Sequence, residues 1–269
     1  MILSGSSSSP LNSQNNLPKV SILIASNTDT NSLKAALTSC INQTYSNFEV
    51  IFIANGPNAS NIADSVRLSF PDCYKLRIYT TSVSGLSFSL SLGVHFSEGE
   101  LIARMDSDDI SDPYRLQEQV SYFLENPSVS VLGSSYYLID SNNNILKVVH
   151  PPSGNSAIRR FFYFTNPICH PSVMMRRHCL TDLGGYSYSL HAEDYDLWVR
   201  LSLSSKCIFH NLSKPLLSYR SVSIGEARSS RNAYVSMLTT QVNALLCSKN
   251  PTWLISILIT YVKIIFSQL

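Results

Sequence analysis

The chain has 269 residues, enough for one large α/β domain with a small appendage and a substantial buried core. Its net charge is +2 and its basic residues fall in short pairs such as Arg159-Arg160 and Arg176-Arg177, a pattern that excludes a nucleic-acid surface. Six well-separated cysteines, with no Cys-x-x-Cys and no Cys/His pairing, exclude a zinc module and read as reduced, mostly buried thiols of a cytoplasmic protein.

In chain order, residues 1–17 form a polar tail rich in Ser and Asn, without a targeting segment, and are expected to be disordered. Apolar strands are predicted at Val20 to Ala25, Phe48 to Ala54, Lys75 to Thr80, Leu101 to Asp106 and Val129 to Gly133. Helical stretches alternate with them, one carrying Leu33, Leu37 and Ile41 as its buried stripe. That alternation predicts a mostly parallel sheet covered on both faces, over residues 18–222. Residues 223–269 are expected to form a C-terminal helical segment. Its stretch Trp253 to Phe266 is almost wholly apolar but reaches about 20 Å as a helix, short of a hydrocarbon core of roughly 30 Å. With Trp253, Tyr261 and Lys263 it suits a helix lying in a membrane interface; packing against the core is the alternative.

Two acidic clusters interrupt this charge-poor chain. The first, Asp106-Ser107-Asp108-Asp109, leaves the apolar run Glu100 to Met105, at the carboxyl edge where open α/β sheets bind ligands. On an extended segment Asp106 and Asp108 project to the same side. Their mutual repulsion is relieved by Mn²⁺ or Mg²⁺, which leaves positions for phosphate oxygens and stabilises charge on a departing phosphate. A helix cap is the plainer reading of an acidic turn. It accounts for Asp112, an N-cap with Pro113 at the first helical position and Leu116, Val120, Phe123 and Leu124 behind it, but not for the three acids before it. Arg104 either meets a phosphate oxygen or forms a structural salt bridge with Asp109.

The second cluster, Glu193-Asp194-Tyr195-Asp196, follows His191 and the Gly184-Gly185 turn and opens a helix whose apolar face is Leu197, Trp198 and Leu201. A carboxylate there can take the proton of an attacking hydroxyl, and the helix N-terminus is expected to lower its pKa.

These clusters, about ninety residues apart, resemble those of the family 2 glycosyltransferases of the GT-A fold. The likeness extends from Pro18 to Arg220 through Val20-Ser-Ile-Leu-Ile-Ala25, Ala36 to Tyr45, Asn47-Phe-Glu-Val-Ile51, Arg104 to Asp109, Gly184-Gly-Tyr186 and Glu193-Asp-Tyr-Asp-Leu-Trp198. It implies an α/β, GT-A type fold: a mostly parallel nucleotide-binding sheet flanked by helices. It implies Asp106 and Asp108 as ligands of Mn²⁺ or Mg²⁺, and Ala25, Asn27, Asn55, Arg104, Asp106, Ser107 and Asp108 around the donor nucleotide. Asp194 falls on the position of the catalytic base, Glu193 is its alternative, and His191 and Trp198 are implied at the acceptor.

The resemblance further implies inverting transfer of glucose or galactose from a UDP-sugar to a lipid-linked saccharide such as GlcNAc-diphosphoundecaprenol, with a β-1,3 bond favoured. That work belongs to O-antigen or capsule synthesis on the cytoplasmic face of a bacterial inner membrane. The chain departs from the family in several places, among them Ser84-Gly85-Leu86, where another residue replaces the Asn of Asn-x-Gly-Leu. Ala54-Asn55-Gly56-Pro57 replaces Asp-Asp-Gly-Ser, and Ala25-Ser26-Asn27-Thr28 replaces Pro-Thr-Tyr-Asn. A dTDP- or GDP-deoxysugar donor, a different acceptor, or a non-catalytic sugar-nucleotide-binding module therefore stay open. Tyr219-Arg220 matches a family pair but lacks the histidine that often follows it, and His170, just before the strand-like segment Val173 to Arg176, reads as structural.

Overall fold

The computed structural model describes residues 17–187, 191–220 and 231–266; apart from Leu17, the expected N-terminal tail lies outside the described residues. The chain begins with β1 (Val20–Ser26), α1 (Asn31–Ile41), β2 (Phe48–Asn55), α2 (Ala59–Ser69), β3 (Leu76–Thr81), α3 (Leu86–Phe96) and β4 (Leu101–Met105). It continues through β5 (Ile110–Ser111), α4 (Arg115–Glu125), β6 (Val131–Ile139), β7 (Ile145–Val149), α5 (Asn155–Phe161) and a 3₁₀ turn at His170–Ser172. Then come β8 (Met174–Arg176), α6 (Arg177–Thr181), α7 (Glu193–Ser202), β9 (Phe209–Arg220), α8 (Arg231–Ser248) and α9 (Thr252–Phe266).

One sheet organises these elements in the order β3-β2-β1-β4-β8-β6-β9-β5. The first four strands are parallel, as the βα alternation predicts. β8 then runs antiparallel to both β4 and β6, and β9 returns parallel to β6 with the two-residue β5 antiparallel at its end. β7 pairs with the far half of β6. The strand expected at Val129 to Gly133 is therefore the start of a longer one, and β5, β7 and β9 are additions to the predicted set.

Alternation along the strands divides the core. Ile22, Ile24, Phe52 and Ala54 face Leu33, Leu37, Ile62, Leu116 and Phe123 of α1, α2 and α4. Leu23, Ile51 and Ile53 face the other way, onto Leu90 and Val94 of α3 in a core that extends to Leu197 and Trp198 of α7. Ala244 of α8 and Trp253 of α9 belong to that second core, so the C-terminal helices pack on the sheet domain. Helix α9 turns its small polar side inward. Ser256 and Thr260 are buried while Leu254, Ile255, Leu258, Tyr261, Val262, Ile265 and Phe266 are exposed. Among the described residues no helix is long and apolar enough to cross a membrane.

Two local expectations around α4 change. Asp112 accepts the Tyr114 N–H (2.8 Å) and its carbonyl takes the Arg115 N–H (3.0 Å). Asp112-Pro113-Tyr114 is thus a turn of its own, and the helix starts at Arg115. Leu124 is 54% exposed, whereas Arg115 and Gln119 occupy the buried face. They are there because they satisfy strand-end carbonyls. Arg115 donates to the Arg104 and Val173 carbonyls (2.9 and 3.0 Å), and Gln119 to those of Ser172 and Leu132 (2.8 and 3.2 Å).

Candidate functional site

The first cluster lies just past β4, whose end is fixed from below by Arg115. Asp106, Ser107 and Asp108 are partly exposed and Asp109 is fully buried. Carboxylate oxygens of Asp106, Asp108 and Asp109 lie within 4.8 Å of one another. A clamp from β9 holds the loop in this shape. The Arg220 backbone N–H donates to Asp109 Oδ1 (2.8 Å), and its guanidinium to the Asp108 carbonyl (2.8 Å), the Asp140 carbonyl (2.8 Å) and Asn143 Oδ1 (2.6 Å). Arg104 pairs with Asp106 (2.6 Å), not with Asp109. Burial opposes the Arg104 charge, but the Asp106 carboxylate outweighs it and holds the guanidinium above its ordinary range. Arg104 Nε and Nη1 have no hydrogen-bond partner among the described residues.

Burial and the Asp106 and Asp108 charges push the Asp109 carboxyl well above the usual range, and its Oδ2 has no hydrogen-bond partner among the described residues. Three converging hard oxygen donors, one buried and short of a partner, fit a divalent cation of the Mg²⁺ or Mn²⁺ kind. The Asp-x-Asp reading does not group Asp109 with Asp106 and Asp108, because the bond that holds its carboxylate beside theirs comes from the Arg220 backbone, 111 positions away.

The acids of the second cluster diverge. Asp196 accepts from Arg200 (2.8 Å), from Ser187 and from Thr240 (3.4 Å), so it ties α7 to the preceding loop and to α8. Asp194 turns elsewhere: Oδ1 accepts the Tyr195 N–H (2.7 Å) and Oδ2 the Asn166 amide (2.6 Å). Burial, reinforced by Glu193, pushes its carboxyl up to about 6 against the opposing Tyr195 N–H, Arg104 and Asn166. The lowering expected from the helix N-terminus is overturned by desolvation. The result is a carboxylate ionised at neutral pH yet more basic than an exposed aspartate.

Arg104 couples the clusters. It pairs with Asp106 directly, and its charge bears on Asp194. The Cys169 thiol is likewise raised by burial and by Asp109, Asp106 and Asp194. Between them His170, buried and bonded to the Tyr186 hydroxyl (2.9 Å), is driven well below its ordinary pKa by burial and by Arg104. It is a neutral structural histidine, as its sequence position suggests.

The remaining predicted residues fall unevenly. Asn27 is exposed beyond β1, while Asn55 is buried at the end of β2. A side chain at Gly56 (φ +86°) would crowd Ser84 Oγ at 3.0 Å and touch Asn27 Cβ at 3.9 Å, so these three segments lie together. An open cleft of about 550 Å³ follows, lined by Asn27, Thr28, Asp29, Thr30, Asn58 and Asn61 together with Ile62. Ala25 is buried in the second core, so its backbone alone is left to meet a ligand. Trp198 is a correction. Its ring is 0% exposed and edge-on to His170 (5.8 Å), because it continues the apolar face of α7, so it offers no surface to an acceptor. His191 is exposed immediately before α7.

Residues 21–183, which include the Asp106 loop, match Glycosyl transferase family 2. An O-antigen biosynthesis glycosyltransferase of Escherichia coli, WbnJ, is 35% identical over 76% of this chain and 80% of its own length. A second Escherichia coli protein, UDP-Gal:alpha-D-GlcNAc-diphosphoundecaprenol beta-1,3-galactosyltransferase, is 30% identical over 76% of this chain and 74% of its own. Among solved structures, S. aureus TarS 1-349 in complex with UDP-GlcNAc superposes with a TM-score of 0.64 at 16% identity, over 84% of this chain but 66% of that one, just under two thirds of its length. The mannosyltransferase PcManGT from Pyrobaculum calidifontis, in complex with GDP-Man and Mn²⁺, does so with a TM-score of 0.62 at 14% identity, over 93% of this chain and 70% of that one. Sequence match, sheet order and relatives agree: the chain belongs to glycosyl transferase family 2 and is a glycosyltransferase of the GT-A fold.

Proposed function

We propose that the protein is a metal-dependent inverting hexosyltransferase that moves glucose or galactose from a UDP-sugar to a lipid-linked saccharide such as GlcNAc-diphosphoundecaprenol, forming a β-1,3 bond in O-antigen synthesis. The observation that carries this reading is the coupling, through one buried arginine, of a three-carboxylate cluster suited to a divalent cation with a partly buried, more basic carboxylate at Asp194. The names of the two Escherichia coli relatives support the pathway and the acceptor class.

Asp106, Asp108 and Asp109 would hold Mn²⁺ or Mg²⁺, which supplies Lewis-acid stabilisation of the departing diphosphate. The unpartnered Arg104 nitrogens add positive charge on the same side. The nucleoside lies toward Asn27, Asn55 and the cleft beside them. The acceptor approaches past His191 and Glu193. As its hydroxyl oxygen bonds to the anomeric carbon, the bond to the diphosphate oxygen breaks and the leaving group keeps the electron pair. The hydroxyl proton passes to Asp194, and displacement from the opposite face inverts the centre.

The outward apolar face of α9 and the absence of Asp or Glu between residues 231 and 266 support peripheral attachment to the cytoplasmic face of a bacterial inner membrane. A second donor reading rests on Ala54, which is fully buried and stands where the family pattern implies an aspartate; a dTDP or GDP donor is then admitted. Transfer from a panel of UDP-, dTDP- and GDP-sugars to a synthetic GlcNAc-diphospholipid, with the linkage read by NMR, decides. A β-1,3 hexosyl product from a UDP-sugar is expected. A product from a dTDP or GDP donor alone overturns the donor assignment, and no product from any donor overturns the acceptor.

A further inference from the structure

Asp194 is not held by its own helix alone. The residue opposite it, Asn166, lies in the loop between α5 and the His170 turn, and its amide has one permitted orientation. Asn166 Oδ1 accepts the Ile168 N–H (3.2 Å), so the nitrogen must face Asp194 Oδ2, at 2.6 Å. The following Pro167 confines Asn166 to extended backbone. The loop is itself tied down by buried Asn211 of β9, which donates to the Pro167 and Pro152 carbonyls (3.2 and 2.8 Å). Gly133 on β6 is needed for that: a Cβ there would lie 2.1 Å from Asn211 Oδ1. A continuous chain of contacts thus runs from the β6–β9 pair to one carboxylate oxygen.

We propose that Asn166 is a positioning residue for Asp194: its locked amide fixes the rotation of the carboxylate, leaving the remaining lone pairs for the acceptor hydroxyl. The proposal rests on the base role given to Asp194 above and goes beyond it. Because the amide stabilises the ionised form, Asn166 also sets how basic Asp194 is. The other groups bearing on that carboxyl are Glu193, which raises it, Arg104 and the Tyr195 N–H, which lower it, and Tyr186 and Cys169, whose own ionisation it opposes. Among these Asn166 is the one neutral side chain in hydrogen-bond contact.

The test is a carboxyl ¹³C NMR titration of the Mg²⁺-loaded full chain labelled at Asp, with the Asp194 signal assigned by its loss in Asp194→Asn. In Asn166→Ala the Asp194 midpoint should move up by about half a unit to one unit. In the isosteric Asn166→Asp, which sets a second carboxyl beside it, the pair should titrate over a wider range, with its upper midpoint raised by about one unit or more. A midpoint unchanged in Asn166→Ala overturns the proposal, and so does failure of both variants to fold, which would make Asn166 a structural residue. Full transfer activity in Asp194→Asn would instead remove the base role itself, leaving the NMR result to judge the contact.

Discussion

The two acidic clusters use the same residues to opposite ends. In the loop after β4, three carboxylates converge within 4.8 Å. At the start of α7, Asp194 and Asp196 part company, one toward Asn166 and the other toward Arg200 and Thr240. Backbone geometry accounts for the difference. Successive residues on a helix point in different directions, so neighbouring acids acquire separate neighbours, whereas an irregular loop pinned by Arg220 can turn its acids to one point. Convergence suits cation binding. Divergence gives the two carboxylates separate partners, so that in the proposed mechanism Asp194 acts on a proton while Asp196 holds the helix in place.

The largest effect should come from Asp194→Asn: a loss of about 10²–10⁴ in kcat with affinity for Mn²⁺ and nucleotide unchanged, as read by calorimetry. In the parent enzyme kcat/KM should rise through an acidic limb near the Asp194 value of about 6 and level off above it, since the base works ionised. Activity already at its plateau well below that pH would contradict the assignment. On the convergent side, saturating Mn²⁺ or Mg²⁺ should raise the melting temperature by about 5 °C, and Asp108→Asn should abolish the rise. A rise that survives the substitution would place the cation elsewhere.

Arg220→Ala sharpens the comparison at a smaller scale. Losing the guanidinium bonds to the Asp108 and Asp140 carbonyls and to Asn143 should lower stability by about 2 kcal/mol in urea unfolding. Cation affinity should weaken too, and the acidic limb of the pH profile should stay where it is. Smallest of all, Asp196→Asn should reduce stability by about 1 kcal/mol and leave kcat within a few fold. A collapse of kcat in that variant would mean that the divergence drawn between Asp194 and Asp196 is false.

How far the sequence reveals this arrangement differs between the halves of the sheet. From β1 to β4, apolar runs and amphipathic helices alternate locally, and the parallel half is legible within a residue or two. Beyond it the pairings are long-range and the strands are disguised. β9 carries Lys214 and Pro215, and Pro215 sits opposite a register shift at Ser135. The same distinction runs through the site. Asp106, Asp108 and Asp194 stand out as acids at a strand end and a helix start. Asn166, Arg115 and Gln119 do not, and Arg220 shows only as half of a Tyr-Arg pair without its role, because each is defined by a partner far along the chain, as with Arg220 and the Asp108 carbonyl 112 positions apart. Trp198 misleads for the converse reason: an aromatic inside an acidic motif draws attention, but helical phase turns it into the core beside Leu197.

In the proposed mechanism the convergent carboxylates and the Asp194 carboxylate serve one reaction. A crystal structure with Mn²⁺ and UDP bound tests it most directly. Mn²⁺ is expected on Asp106 and Asp108 with the diphosphate on the metal, and Asp194 facing the open space beyond the β-phosphate where a hexose would sit. A cation bound away from these aspartates, or a diphosphate whose free end points away from Asp194, would contradict it.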